Sequence, residues 1–598
     1  MATRKRKELK KIRSWLVSSN CNEHEFICSS PKKTVLIRLP SENHELTDDV
    51  FNDIGSALPA EKIRSEFNRD ADVISDVHIA GTMRWQNSND LVAQLENNSK
   101  PIYAFCSEKI TDYFNAFKRL QIHQPVVPVL LYGHHLMVGP CLLDHRTPCG
   151  ACWRTRLLNN LPSLAERVHR GHVLFENPFI QVEKAVAVAR ALWEAKRPVT
   201  GRDQALSIDL IRGEFSWQRF MPATACACRY EPVVGEIQDL KSSHFGPVHS
   251  IDIDKSLVTK EVVTVTALGH GKENSSLGTA TSFSTTDAEL RALGESAERH
   301  AAAQAADIAT LIPGSDLDLH WPWEYHTPYE SSQYEQAGFP YQPLSKLQKS
   351  HWIEVCSIAD GSESWLPLRL VALDKRCAQP AFAPMTSNGI AAGNSVWDAT
   401  ERALLEIAER DIATRTWFEG EIDELNTKEI ASVAAEKLDF SGFSLKLFRC
   451  RTPIAINVVI AFIYEHGKPV GAVGTAADLT INRAAVHAVE EAIQMWHIRN
   501  PRGQCIPLPQ RFSSVPMLKS SPWKTTGDLA ELVEHYRPWR ADLSCSVSRG
   551  AGLHVVGLYS PFAVDFLDSK RPIPKRIWNP EKSIRELIHV EPSAFVLS

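Results

Sequence analysis

The sequence has no apolar run long enough to cross a membrane. Its longest, PVVPVLLY (125–132) and INVVIAFIY (456–464), fall well short of the ~20 residues a span needs and read as buried strands. It has no basic excess either. The 66 Lys and Arg stand against 71 Asp and Glu, a net charge of −5, so no global positive field points to nucleic acid. There is no GxxxxGK[ST] stretch, which excludes a nucleotide site of the P-loop type. Low-complexity tracts and solenoid repeats are absent. The N-terminal MATRKRKELKKIRSWLVSS is basic but lacks the apolar core of a secretory signal. It reads as a solvated basic helix start, with a grip on an acidic peptide as the alternative. Thirteen cysteines, an odd number with no signal peptide, suit a cytoplasmic protein with mostly free thiols. Close cysteine pairs then point to metal rather than to disulfides.

What is present is ordinary globular composition: 598 residues, 43% hydrophobic and 23% charged. That length predicts two to four domains at ~100–200 residues each. Residues 1–100 read as a small mixed domain, with a strand at TVLIRL (34–39) and short helices in LTDDVFNDIGSAL and PAEKIRSEF. Residues 101–240 hold the buried strand QPVVPVLLYG and a helix-rich stretch over 153–200. The polar, turn-rich EIQDLKSSHFGPVHS marks a break. From 241 to 598, strands (VVTVTALG, INVVIAFIY, LHVVGLYS) alternate with long helices. The expected fold class is α+β, multidomain.

Two features carry chemistry. The first is a cysteine quartet: Cys149 and Cys152 in TPCGACW, Cys226 and Cys228 in TACACRY. Four thiolates are the ligand set of a closed, tetrahedral structural zinc site, with Cys141 or Cys106 as substitutes. Two unrelated thiol clusters and a redox CxxC are the alternatives.

The second is a repeat. RALGESAER (291–299) and RALLEIAER (402–410) agree at seven of nine positions, at an offset of 111. Thr286 with Glu289, and Ser395 with Asp398, would open the two helices as capping boxes. Glu295, Glu298 and Arg299 share one helix face, as do Glu406, Glu409 and Arg410. The remaining faces are so rich in Ala and Leu that both helices should be buried. The second is the more apolar and should lie deeper. Buried carboxylates need partners or a metal. Two Glu pairs and two arginines suit Mg²⁺ and the phosphates of a nucleotide. Solvated Glu–Arg pairs are the plainer alternative. A third helix, NRAAVHAVEEAIQMWHIRN (482–500), brings Glu491, Gln494 and Arg499. Glycine-containing loops precede the first two helices, GHGKENSSLGTATSFSTT (269–286) and PMTSNGIAAGNS (384–395). Their small residues let backbone approach phosphate.

Three segments, LGTATSFSTTDAELRALGESAER, SNGIAAGNSVWDATERALLEIAERD and AVEEAIQ, occur in that order. Together they resemble the YcaO superfamily over about 250–570. The resemblance implies an unusual, non-kinase ATP-binding fold. It implies Mg²⁺ on Glu295, Glu298, Glu406 and Glu409. It implies a nucleotide site lined by Arg299, Asn388, Asn394, Arg410, Glu491, Gln494 and Arg499. Serine is common in that family where Ala292 stands. The region LLYGHHLMVGPCLLDHRTPCGACWRTRLL, with Cys226 and Cys228, resembles the zinc-bearing ThiF-like α/β portion fused to azoline-forming peptide cyclodehydratases. Such enzymes act on a ribosomally made precursor peptide carrying a leader. They use ATP to close Cys, Ser or Thr onto the preceding carbonyl as a thiazoline or oxazoline. Thioamide or amidine formation stays within the superfamily; a non-catalytic peptide-presenting scaffold would be another class. Members of this group often end in a proline-rich tail; the given sequence ends HVEPSAFVLS, with Pro572 and Pro574 well inside, so a tail role is not expected. Residues 1–100 would be a winged-helix clamp that takes the leader as an added strand, or a separate ThiF-like partner presents it. A flavin dehydrogenase is the expected companion in the same pathway, and a homodimer is compatible with the resemblance.

Overall fold

The structure is a computed structural model. It describes the strand backbones within 16–38 and 102–105, and most of 126–161 with parts of 164–168. From 203 to 564 it describes all but 210–213, 224–225, 227, 229, 260, 270–277, 321–326, 378, 419–420, 427–441, 469, 503–504, 508–511, 513–514 and 516–525. The expected helices of 46–67, the basic segment before 16, the AVAVARALWEA helix, Cys106 and Pro572–Pro574 lie outside the described residues. The chain divides into two compact units, 1–250 with 269–275, and 251–268 with 276–598.

The first unit has two sheets. Strands β1 (Leu16–Ser19), β2 (Glu25–Ser30) and β3 (Lys33–Arg38) form an antiparallel meander. Strands β4 (Ile102–Phe105), β5 (Val126–Tyr132), β6 (His135–Val138), β7 (Gln204–Asp209) and β8 (Glu214–Arg219) follow one another in a second sheet. There β4 and β5 are parallel and the remaining pairs antiparallel. Helix α1 (Gly150–Asn160) buries Trp153 and Leu157 in a core with Val126, Leu130, Met137 and Phe220.

The second unit has three sheets. Strands β9 (Ser250–Lys255), β10 (Val263–Leu268) and β11 (Gly278–Ser282) form the first, which leads into helix α2 (Thr285–Ala302). The second runs β12 (Thr310–Pro313), β13 (Lys349–Ser357), β21 (Trp539–Asp542), β22 (His554–Tyr559), β15 (Ile390–Gly393), with β14 (Glu363–Pro367) also on β13. Helix α3 (Val396–Phe418) follows β15. The third sheet is β16 (Ile422–Glu424), β17 (Phe443–Cys450), β18 (Asn457–Glu465), β19 (Val470–Asp478) and β20 (Ile506–Pro507), with helix α4 (Ile481–Arg499) after β19. Helix α5 (Leu529–Tyr536) precedes β21.

The apolar run in β18 has a simple cause. Val458, Ile460 and Phe462 pack with Leu404, Ile407 and Ala408 of α3. Val459, Ala461 and Ile463 pack with Ala488, Val489, Ala492 and Ile493 of α4. A strand covered on both faces has no polar alternation. Helix α3 lies deep: Ala399, Ala403, Leu404, Ile407, Ala408, Ile412, Ala413 and Trp417 are all buried.

Small residues set how closely helix and sheet approach. A Cβ on Gly278 of β11 would sit 1.9 Å from the Ala292 carbonyl oxygen of α2. A Cβ on Gly474 of β19 would sit 2.2 Å from the Ala492 nitrogen of α4. Neither backbone contact yields cheaply, so Gly474→Ala is expected to cost about 1–3 kcal/mol through overpacking. Urea unfolding measures it; an unchanged midpoint would show that α4 can move outward.

The helix starts differ in part from expectation. α3 opens at Ser395 as expected, with half of the expected box: Asp398 N–H donates to Ser395 Oγ at 3.0 Å, whereas Asp398 Oδ2 accepts from Asn394 N–H at 2.9 Å. α2 instead opens at Ser284, whose hydroxyl accepts from Asp287 N–H at 3.3 Å. Thr286 and Glu289 are already inside the helix. The repeat offset gives the reason, since Ser284 and Asp287 stand 111 residues before Ser395 and Asp398.

Candidate functional site

The cysteine quartet comes together in the first unit. Cys149 caps α1, and its sulfur accepts from Cys152 N–H at 3.4 Å. Cys149 Sγ lies 3.3 Å from Cys226 Sγ, and Cys152 Sγ lies 3.5 Å from Cys228 Sγ. All four sulfurs fall within 4.8 Å of one another. These contacts are far longer than a disulfide bond. They approach the ~3.8 Å sulfur–sulfur edge of a tetrahedron with Zn–S bonds of about 2.3 Å. Cys141 is buried but is not one of the four. Thiol hydrogen bonds, from Cys152 first and then Cys226, hold Cys149 down at about 7. Cys149 and its neighbours hold Cys228 well below the usual thiol range. Arg156, 2% exposed, braces the site: Nε donates to Met221 O at 3.0 Å and Nη2 to Pro222 O at 2.6 Å. That ties the helix bearing one cysteine pair to the segment leading to the other.

The second unit gathers the acidic residues. Each of three strand–helix copies carries a glycine in or just before its strand, Gly278, Gly389 or Gly474. Each copy places a glutamate 17 residues later: Glu295, Glu406 or Glu491. Each of these glutamates accepts a backbone N–H from its own preceding strand segment. Thr279 N donates to Glu295 Oε2 at 2.7 Å, Gly389 N to Glu406 Oε2 at 3.2 Å, and Thr475 N to Glu491 Oε2 at 2.7 Å. Gly389 adopts φ 74°, a left-handed conformation that favours glycine.

The residue three further on reaches the next copy. Glu298 accepts from the backbone of Ala392 in β15. Glu409 accepts from Thr475 Oγ1 in β19 at 2.6 Å. Gln494 Nε2 donates to Thr279 O in β11 at 3.3 Å. First copy to second, second to third, third to first: the contacts close a ring. The repeat seen in the sequence is therefore threefold, and α4 is its third member.

The ring holds five carboxylates (Glu295, Glu298, Glu406, Glu409, Glu491) against two guanidinium groups, a formal excess of three negative charges. Arg299 Nη2 pairs with Glu295 at 2.9 Å. Arg410 lies 3.5 Å from Glu409 and 3.8 Å from both Glu406 and Glu491, too far to saturate any of them. Side-chain exposures of 29% for Glu295, 25% for Glu406, 13% for Glu409 and 19% for Glu491 leave all of them open to a small ligand. Burial nevertheless pushes the carboxyls up. Desolvation raises Glu406 to about 7 against the pull of Arg410 and Arg299. It raises Glu409 to about 8 against Arg410, with Glu491 repelling. Desolvation, then repulsion from Glu406 and Glu295, puts Glu298 well above the usual carboxylate range. Glu295 is raised by desolvation despite Arg299. A cluster of half-buried carboxylates with too few cations of its own is the donor set of a hard divalent cation.

Asn388 sits half-buried beside Gly389, in the turn closed by Ile390 N–H on Ser387 O at 2.9 Å. Asn394 is exposed ahead of α3, three turns from Glu406 along the helix. Arg499 is 5% exposed at the end of α4, with Glu491 and Cys505 as its electrostatic neighbours; burial lowers its pKa. Buried Glu490, next to Glu491, takes Arg291 Nη1 of α2 at 2.6 Å and so pins α4 to α2.

Sequence reasoning missed the strand groups that aim the carboxylates: Thr279, Gly389, Ala392 and Thr475. A signal was present. Gly278-Thr-Ala, Gly389-Ile-Ala and Gly474-Thr-Ala recur at the two offsets 111 and 196.

Comparison with known proteins defines the class. Residues 279–542 match the family described as YcaO cyclodehydratase, ATP- and Mg²⁺-binding. Residues 279–542 thus form a YcaO domain, of the ATP- and Mg²⁺-dependent cyclodehydratase type. An uncharacterized protein in the tfuA 3′ region of Rhizobium leguminosarum bv. trifolii is 28% identical over 161 residues. That match covers 24% of this chain and 38% of the relative, so the chain spans less than two-fifths of the curated relative's length. Among solved structures, a heterocyclase in complex with substrate and cofactor matches at TM-score 0.58 and 15% identity, over 92% of this chain and 94% of that one. The heterocyclase TruD matches at TM-score 0.53 and 14% identity, over 92% and 93%. The shared architecture is a mixed α+β multidomain fold. Among the described residues, no helix is long and apolar enough to cross a membrane.

Proposed function

We propose that this protein is an ATP- and Mg²⁺-dependent cyclodehydratase. It converts Cys, Ser or Thr of a ribosomally made precursor peptide to thiazoline or oxazoline. The observation that carries the reading is the closed ring of five carboxylates and two arginines inside a YcaO domain. Glu295, Glu298, Glu406 and Glu409 would hold Mg²⁺. Arg299, Arg410, Asn388, Asn394, Glu491, Gln494 and Arg499 would line the nucleotide site. When bound, Mg²⁺ neutralises charge on the transferring phosphoryl group.

The substrate supplies its own nucleophile. Its side-chain sulfur or oxygen adds to the preceding backbone carbonyl, giving a hemiorthoamide whose oxygen leaves poorly. That oxygen takes the γ-phosphoryl group of ATP. Departure of phosphate, with loss of the amide proton, closes the C=N bond of the azoline. Arg299 and Arg410 offer planar forks to phosphate oxygens, while the backbone donors Thr279, Gly389, Ala392 and Thr475 keep the carboxylates aimed inward. In this reading a separate ThiF-like partner presents the leader, and a flavin dehydrogenase follows. The test is peptide mass after incubation with ATP and Mg²⁺. A loss of about 18 Da per ring supports closure, whereas a gain of about 16 Da with sulfide assigns thioamide formation instead. ATP consumption with no mass change would sink both.

The cysteine quartet is read as a structural zinc site. The purified protein is expected to carry one zinc per chain, and Cys152→Ser to lose it together with cooperative unfolding of the first unit. Metal analysis and thermal melting check this; full stability without zinc would contradict it.

A further inference from the structure

The three contacts that close the ring differ in kind. Glu298 takes a backbone N–H of Ala392, and Gln494 gives to a backbone carbonyl of Thr279. Those partners come with the strand whatever its side chains. The contact from the second copy to the third is different: Glu409 Oε1 takes the side-chain hydroxyl of Thr475 at 2.6 Å. The same residue gives its backbone N–H to Glu491 Oε2 at 2.7 Å. One threonine thus holds carboxylates from α3 and α4. At 2% exposure it leaves little access for a water to replace its hydroxyl. Its place in the strand is fixed by Gly474, where β19 meets α4 with no room for a Cβ. The equivalent positions are Thr279, whose hydroxyl makes no hydrogen bond to another described residue, and Ile390, which has none to offer.

We propose that Thr475 is a positioning residue for the cation site, setting the spacing of Glu409 and Glu491 through its hydroxyl and its N–H. The inference rests on the reading of the ring as a divalent-cation site. It adds that cation affinity depends on a residue that is not itself a ligand. Removing the hydroxyl frees Glu409 to swing toward Arg410, 3.5 Å away, and the cation loses a pre-aimed ligand. Groups that orient metal ligands are typically worth 10–100-fold in metal affinity.

The test is Mn²⁺ titration of the nucleotide-free full chain, followed by the EPR signal of free Mn²⁺. Thr475→Val keeps the shape and deletes the hydroxyl; Thr475→Ser keeps the hydroxyl; Thr475→Ala guards against a valine variant that fails to fold. The expected result is Mn²⁺ binding weakened about 10–100-fold in the valine and alanine variants and within about threefold of wild type in serine. The Mg²⁺ midpoint of ATP turnover should rise in parallel, with turnover recovering at saturating Mg²⁺. Unchanged Mn²⁺ affinity on losing the hydroxyl would overturn the proposal. So would a serine variant no better than alanine, or turnover lost without a shift of the Mg²⁺ midpoint. A wild-type chain that binds no Mn²⁺ would overturn the parent reading, and this one with it.

Discussion

Replacing Glu298 with glutamine is expected to reduce Mg²⁺-dependent ATP turnover by on the order of 10²–10³-fold while raising the melting temperature of the metal-free protein. Both effects come from one charge. Glu298 is desolvated and faces Glu406 and Glu295, so without a cation its negative charge is costly. An amide of the same shape removes the repulsion, and its carbonyl oxygen can still accept from Ala392. With a cation present, the same charge is what binds it. A residue in a merely structural ion pair would lose stability and activity together. ADP release and thermal melting in a chelator separate the cases. Undiminished turnover, or a lower metal-free melting temperature, would count against the site as described.

The metal-free protein is also expected to lose stability as pH rises from about 5 to about 8. Burial raises Glu406 to about 7 and Glu409 to about 8 from the usual 4.5, and it raises Glu295 and Glu298 as well. The folded chain therefore keeps protons that the unfolded chain releases above about 4.5. For Glu406 and Glu409 that stabilising contribution is complete below that pH and is lost as pH climbs through about 7 and about 8. Each unit of displacement corresponds to about 1.4 kcal/mol, reduced by solvent screening of these partly exposed groups. Saturating Mg²⁺ should reverse the trend, because it binds the ionised form. Urea midpoints at several pH values, with chelator or with Mg²⁺, measure both arms. A metal-free midpoint that stays flat or rises over this range would contradict the carboxylate ring.

Much of the site was legible because it is duplicated. Seven matches in nine positions are enough to put Glu295, Glu298, Glu406 and Glu409 on matching helix faces. The CxxC and CxC spacings likewise pointed to four sulfurs within one metal's reach. The third copy was hidden because what it keeps is sparse: Gly-Thr-Ala in the middle of a strand and Glu491, with Gln494 where the others carry Glu. Its helix was visible by its apolar face, but its kinship was not. The strand donors were invisible for another reason. Backbone N–H groups have no sequence signature, and only the glycine spacing betrays them. Sheet order was also beyond the pattern. β21 pairs between β13 and β22 across nearly two hundred residues of chain, and periodicity marks strands without naming their partners.

In the proposed reaction the peptide's own amide oxygen is phosphorylated and leaves as phosphate. A precursor peptide with ¹⁸O in the carbonyl preceding its reactive Cys or Ser tests it directly. One ¹⁸O-labelled phosphate is expected for each ring formed, with no label left at that position of the peptide. Label retained in the dehydrated peptide, or released phosphate whose new oxygen comes only from water, would contradict it.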